Sequence, residues 1–167
     1  MQEGRGGCLG TLFGLFTSAE TKPGPLPSKL PYARKYDFLS PAEAAFFVAL
    51  RSAIGETYLI FSKVRLADVC YIPRGPGSTA ALNRVSSKHL DFLLCDMSTL
   101  RPVLAVELDD SSHQRADRAQ RDVFVDEVLN AVELPFVRFK ARAGYGTDEV
   151  RSTIQAAIAT QGGQRPT

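Results

Sequence analysis

Two stretches decide how this chain is read: Lys88-His89-Leu90-Asp91-Phe92, and Val103-Leu104-Ala105-Val106-Glu107-Leu108-Asp109-Asp110-Ser111-Ser112-His113. Each is an apolar run of strand length with carboxylates at one end. A buried carboxylate costs several kcal/mol unless it is paired or holds a cation. Three acids at one end of a β-hairpin therefore point to a bound metal ion, with Asp91, Glu107 and Asp109 as its ligands. Carboxylates and water suit Mg²⁺ or Mn²⁺ better than zinc. Side chains alternate along a strand, so Glu107 and Asp109 share a face, about 6–7 Å apart. The segment from Asp96 to Arg101, followed by Pro102, reads as the turn between the strands. Asp91 and Glu107 are equidistant from Thr99, so a hairpin symmetric about Thr99 sets them opposite each other. Opposed residues of an antiparallel pair have Cα atoms roughly 4.5–5.5 Å apart, and a slip of one residue would put the two acids on opposite faces.

The rest of the composition bounds what surrounds this hairpin. A chain of 167 residues with 44% hydrophobic content is one domain with tails. The formal net charge of +2 carries no global basic signature for nucleic acid, so such a partner must be met by a local patch. Cys8, Cys70 and Cys95 match no zinc spacing and no disulfide framework, which points to a reducing, cytoplasmic setting. The apolar segment from Cys8 to Phe16 is far short of the roughly 20 residues of a membrane span, and its flanks are not those of a signal peptide. It reads first as a loosely ordered tail, and second as a peripheral contact with a membrane or a protein.

Along the chain, residues 17–31 are rich in Pro, Gly, Ser and Lys and read as a linker. Ser40-Pro41-Ala42-Glu43 has the form of a helix start: Ser at the cap, Pro at the first helical position and Glu three residues after the cap. Phe46, Phe47, Leu50 and Ile54 make an apolar stripe that Gly55 ends. Tyr58 to Val64 is strand-like, and Arg65 to Tyr71 is short and helical or irregular. Pro73 to Ala80 reads as a flexible surface loop. After the two strands comes a helix from Arg115 to Val132, then a short strand from Leu134 to Phe139, then a helix from Asp148 to Ala159. The order α, β, irregular, β, β, α, β, α implies an α/β (α+β) fold with a mixed sheet flanked by helices. The expected boundaries are a tail at 1–36, a domain at 37–160 and a tail at 161–167.

In their combined order, Glu43, His89-x-Asp91-Phe92, Glu107-Leu108-Asp109-Asp110-x-x-His113, Asp117, Arg121-Asp122 and Pro135-Phe136-Val137-Arg138 resemble the uncharacterised family known as domain of unknown function 2726. The layout is also similar to the PD-(D/E)XK restriction endonuclease-like superfamily, in particular its very-short-patch-repair-type endonuclease branch. The likeness covers roughly residues 38–140 and implies a restriction endonuclease-like core with metal-dependent DNA cleavage in its ancestry. By that resemblance Asp91 is the strand acid that holds the metal and Glu107 the second acid. Asp109 falls where many relatives carry a lysine, and Asp110 where similar domains often carry glycine. With no lysine at 109, His113 is the best candidate for the general base. Glu43 is a further site candidate or only the acid of the helix cap. Arg121 and Arg138 either bind phosphate or pair with the acids, and Lys88 either binds phosphate or merely precedes a buried strand.

The resulting expectation is a Mg²⁺-dependent (or Mn²⁺-dependent) endonuclease acting on DNA, with homodimerisation as a means of cutting both strands. The rival is a catalytically inactive module of the same fold that binds DNA or a protein. A third reading is a membrane-tethered adaptor working through residues 8–16.

Overall fold

The computed structural model describes residues 30–109 and 116–160, the side chains of residues 116–121 excepted. The chain divides into the units Met1–Tyr36 and Asp37–Thr167. Of the first unit, residues 30–36 are described, and there the Arg34 guanidinium stands 5.9 Å from the Tyr36 ring centre. The expected N-terminal contact segment, residues 8–16, and the expected tail at 161–167 lie outside the described residues.

The second unit begins with α1 (Pro41–Ile54), which starts as its sequence requires. The Ser40 hydroxyl accepts from the Glu43 N–H at 3.3 Å, and Glu43 Oε2 accepts from the Ser40 N–H at 2.7 Å. Pro41 sits where its missing N–H has no intrahelical partner to lose. Gly55 ends the helix at φ 58°, a conformation that favours a residue without Cβ. Then follow β1 (Tyr58–Arg65), α2 (Leu66–Val69), α3 (Ser78–Ser86), β2 (His89–Asp96), β3 (Pro102–Asp109), α4 (Ala116–Ala131), β4 (Phe136–Lys140) and α5 (Thr147–Ala159). Helix α3 corrects the expected loop, which was carried through Ala80. It buries Val85 alone and starts at Gly77 with no side-chain cap, so the cap by which a helix start is recognised is missing.

The strands form one mixed sheet in the order β1-β2-β3-β4, as the α+β expectation requires. The pairs β1/β2 and β2/β3 are antiparallel, and β4 returns parallel to β3 through the crossover of α4. Helices cover both faces. On one, Phe46, Leu50 and Ile54 of α1 and Val150 and Ile154 of α5 pack on Phe92, Leu94, Leu104, Val106 and Phe139. On the other, Leu66, Val85, Val125 and Leu129 pack on Leu90, Leu93, Cys95 and Ala105. Among the described residues no helix is long and apolar enough to cross a membrane.

One irregularity positions the site. Leu90 and Phe92 stand two apart on β2 and should share a face, yet they belong to opposite cores. On β1, Ile60 and Val64 divide in the same way. The switch falls at one level of the sheet. The β1/β2 ladder runs through Ser62↔Phe92 and resumes at Val64↔Leu90, passing over Lys63 and Asp91. Lys63 has φ 54°, the left-handed region that a β-strand residue rarely enters.

Candidate functional site

The level at which the strands change face also carries a row of charged residues. The β2/β3 ladder contains Leu94↔Leu104, Leu93↔Ala105 and Phe92↔Val106, and ends there. These pairs are symmetric about Thr99, and a bulge at Leu94/Cys95 confines the one-residue offset to the turn. Asp91 and Glu107 are the next residues on their strands, so the register that the hairpin arithmetic expected is the one present. Across β3 and β4, Glu107 is level with Arg138 and Asp109 with Lys140. A single row thus crosses the sheet from Lys63 through Asp91 and Glu107 to Arg138, with a cation at each end and two acids in the middle.

Asp91 is half-buried, and its Oδ2 accepts from the Leu108 main-chain N–H at 2.8 Å. A carboxylate thus takes the place of a strand carbonyl at the end of the ladder. Glu107 is half-buried too, and its Oε1 is withdrawn from solvent.

Asp109 is turned elsewhere. Its Oδ1 accepts from Arg138 Nη1 at 2.8 Å, while Arg138 Nη2 reaches Asp126 Oδ1 on α4 at 2.6 Å. Burial works against the Arg138 charge, but Asp126 and Asp109 outweigh it and push its pKa up. Among the described residues no group of three or more His, Cys, Asp or Glu is spaced to hold a metal ion. The described arrangement is therefore a pair of acids with Asp109 drawn into an ion-pair triad beside it.

Glu43 does two things at once. Its Oε2 closes the capping box, and its Oε1 accepts from Lys63 Nζ at 2.6 Å. Burial pushes the Glu43 carboxyl up, yet Lys63 and Ser40 together hold it below the ordinary value. Lys88 is half-buried just before β2, where its carbonyl accepts from the Leu66 N–H at 2.9 Å. The candidate base His113 and the side chain of Arg121 lie outside the described residues.

Two participants were not singled out from the sequence. Asp126, which shares Arg138 with Asp109, looks like any acid on a solvated helix. Lys63 carried a fainter signal: it is the single lysine in the strand Tyr58–Arg65, otherwise mostly apolar.

No curated protein and no solved structure matches the chain. The family model described as "Protein of unknown function (DUF2726)" matches residues 35–158, which span α1 through nearly all of α5 and every charged residue of the row, and the chain belongs to that family.

Proposed function

We propose that this protein is a Mg²⁺-dependent nuclease of the PD-(D/E)XK restriction endonuclease-like superfamily, hydrolysing phosphodiester bonds of DNA. The observation that carries the reading is the juxtaposition of Asp91 and Glu107 where the β2/β3 ladder ends, both half-buried. Magnesium is usually held by one or two carboxylates with waters and substrate phosphate completing its shell, so two acids fit it. A zinc site with three or four protein ligands calls for more than the described row provides. Asp91 and Glu107 would hold Mg²⁺ or Mn²⁺, and a divalent cation supplies charge stabilisation for the phosphorus that water attacks. The chain's part is then to present those two carboxylates: the Leu108 N–H orients Asp91, and one Glu107 oxygen is withdrawn from bulk solvent. His113 remains the proposed proton acceptor and Arg121 a proposed phosphate contact. Cutting both strands calls for two such sites, hence a homodimer. The free thiols of Cys70 and Cys95 favour a reducing compartment, the cytoplasm.

The test is cleavage of DNA with Mg²⁺ or Mn²⁺ by the wild-type chain, Asp91→Ala and Asp91→Asn. Alanine also strands the Leu108 N–H, a loss of about 1–3 kcal/mol. Asparagine keeps an acceptor there while removing the charge, and so isolates the metal role. Loss of cutting in both variants is expected. Equal cleavage by all three proteins would mean a contaminating nuclease and end the proposal.

One observation favours the second reading, a non-catalytic module of the same fold. Asp109, the acid that stands in place of a lysine, is neutralised by Arg138. Calorimetric titration with Mn²⁺ separates the two readings, because saturable binding that Glu107→Gln abolishes belongs to the enzyme and its absence to the module.

A further inference from the structure

Lys63 is the charged side chain of the row that the proposed chemistry leaves without a task. It occupies a strand position at φ 54°. A lysine persists in the left-handed region only where its surroundings over-determine it. The turn there takes Lys63 out of the β1/β2 ladder at the level of Asp91, and its Nζ meets Glu43 Oε1 on α1 at 2.6 Å.

The pair is asymmetric. Both oxygens of Glu43 are engaged, one by Lys63 and one by the Ser40 N–H. An ammonium has three donors, so one bond to Glu43 leaves others for a ligand. Exposure runs the same way: the Lys63 side chain is 33% exposed and that of Glu43 is 13% exposed. The pair therefore shows its cation to solvent and keeps its anion covered. Of the two cations in the row, Arg138 spends Nη1 and Nη2 on Asp109 and Asp126. The β1/β2 register sets Lys63 level with Asp91, and a polyanion approaching that acid needs a positive group beside it; of the two cations Lys63 is the one with donors to give.

We infer that Lys63 binds a non-bridging oxygen of the substrate's phosphodiester backbone, and that Glu43 is the positioning residue that holds Lys63 there. The inference rests on the nucleic-acid reading above and gives Glu43, expected as a site candidate or only the acid of the helix cap, the task of a support.

The experiment measures binding of a fluorescein-labelled DNA oligonucleotide to the full chain across a salt series, with Ca²⁺ as the oxygen-seeking cation. Each phosphate contact contributes about 0.7–0.9 to the slope of log affinity against log salt. Lys63→Met is expected to bind more weakly with a slope shallower by about that amount, while Lys63→Arg keeps the slope. Where Lys63→Met fails to give a folded circular dichroism spectrum, Lys63→Gln takes its place, since its amide can still donate to Glu43. A lysine serving only as a strut between α1 and β1 would alter thermal stability and leave the slope alone. Folded Lys63→Met or Lys63→Gln with the wild-type slope overturns the inference, even if the wild-type chain cuts DNA. A reduced slope in a protein that never cuts supports Lys63 and sinks the nuclease reading. No binding by the wild-type chain overturns both.

Discussion

Asp96 shows how much one side chain can organise. It closes β2, and its Oδ1 accepts from the Ser98 N–H and hydroxyl and from the Thr99 N–H and hydroxyl, at 2.7 to 3.0 Å. These bonds stabilise the anion and hold the carboxyl at about 2, well under its ordinary 3.8. A depressed pKa means stability that is present above the unfolded value and lost as pH falls through the folded one. Asp96→Ala should therefore melt below the wild-type protein at neutral pH, and the gap should close between pH 3.8 and about 2 in a series of thermal melts. Arg138 makes a second case at this scale. Its side chain is 23% exposed and joins β4 to both β3 and α4. Arg138→Met should destabilise by about 1–2 kcal/mol, between the value of exposed pairs and that of fully buried ones. Urea denaturation measures it, and no change would mean that the triad is fully solvated.

Among the elements, α1 bears most on the site, because its first turn brings Glu43 to Lys63 while its buried face anchors the sheet. Ser40→Ala removes half of the capping box and should cost about 1 kcal/mol of unfolding free energy. Phe46 is wholly buried, with ring centres 4.8 Å from Phe139 and Tyr145 and 5.6 Å from Phe92. Phe46→Ala should cost about 3–5 kcal/mol by leaving a cavity where α1 meets the sheet. Chemical denaturation of both variants should rank them in that order. Helix α1 was readable residue by residue, since its cap, its first-turn proline, its stripe and its terminal glycine all agree. Helix α3 was not, because its start follows a glycine with no side-chain cap and reads as the continuation of a Pro-Gly-rich loop.

At the scale of the whole molecule, the candidate site lies where two ladders fail together. β1/β2 skips Lys63 and Asp91, and β2/β3 stops before Asp91 and Glu107. That level carries a charged residue of each strand, and α1 reaches it through the Glu43–Lys63 pair. A cation held there binds the native state and not the unfolded chain, so it should raise stability by about 2.7 kcal/mol at a hundred times its dissociation constant. Mn²⁺ should thus raise the melting temperature of the wild-type protein by several degrees and leave Asp91→Asn and Glu107→Gln unmoved. An equal rise in all three would locate the ion elsewhere.

Hydrophobic runs, caps and turn residues are local properties, and they carried the mixed α/β class, the place of the hairpin and the register that sets Asp91 level with Glu107. Symmetry about Thr99 needed no knowledge of the rest of the chain. Which acid meets a lysine and which an arginine is a different kind of fact. Asp109 leans to Arg138 because a parallel strand arriving from 29 residues away places a guanidinium beside it. Glu43 meets Lys63 because a left-handed residue turns β1 at one point. Both depend on contacts between elements far apart along the chain, where no spacing rule connects the partners.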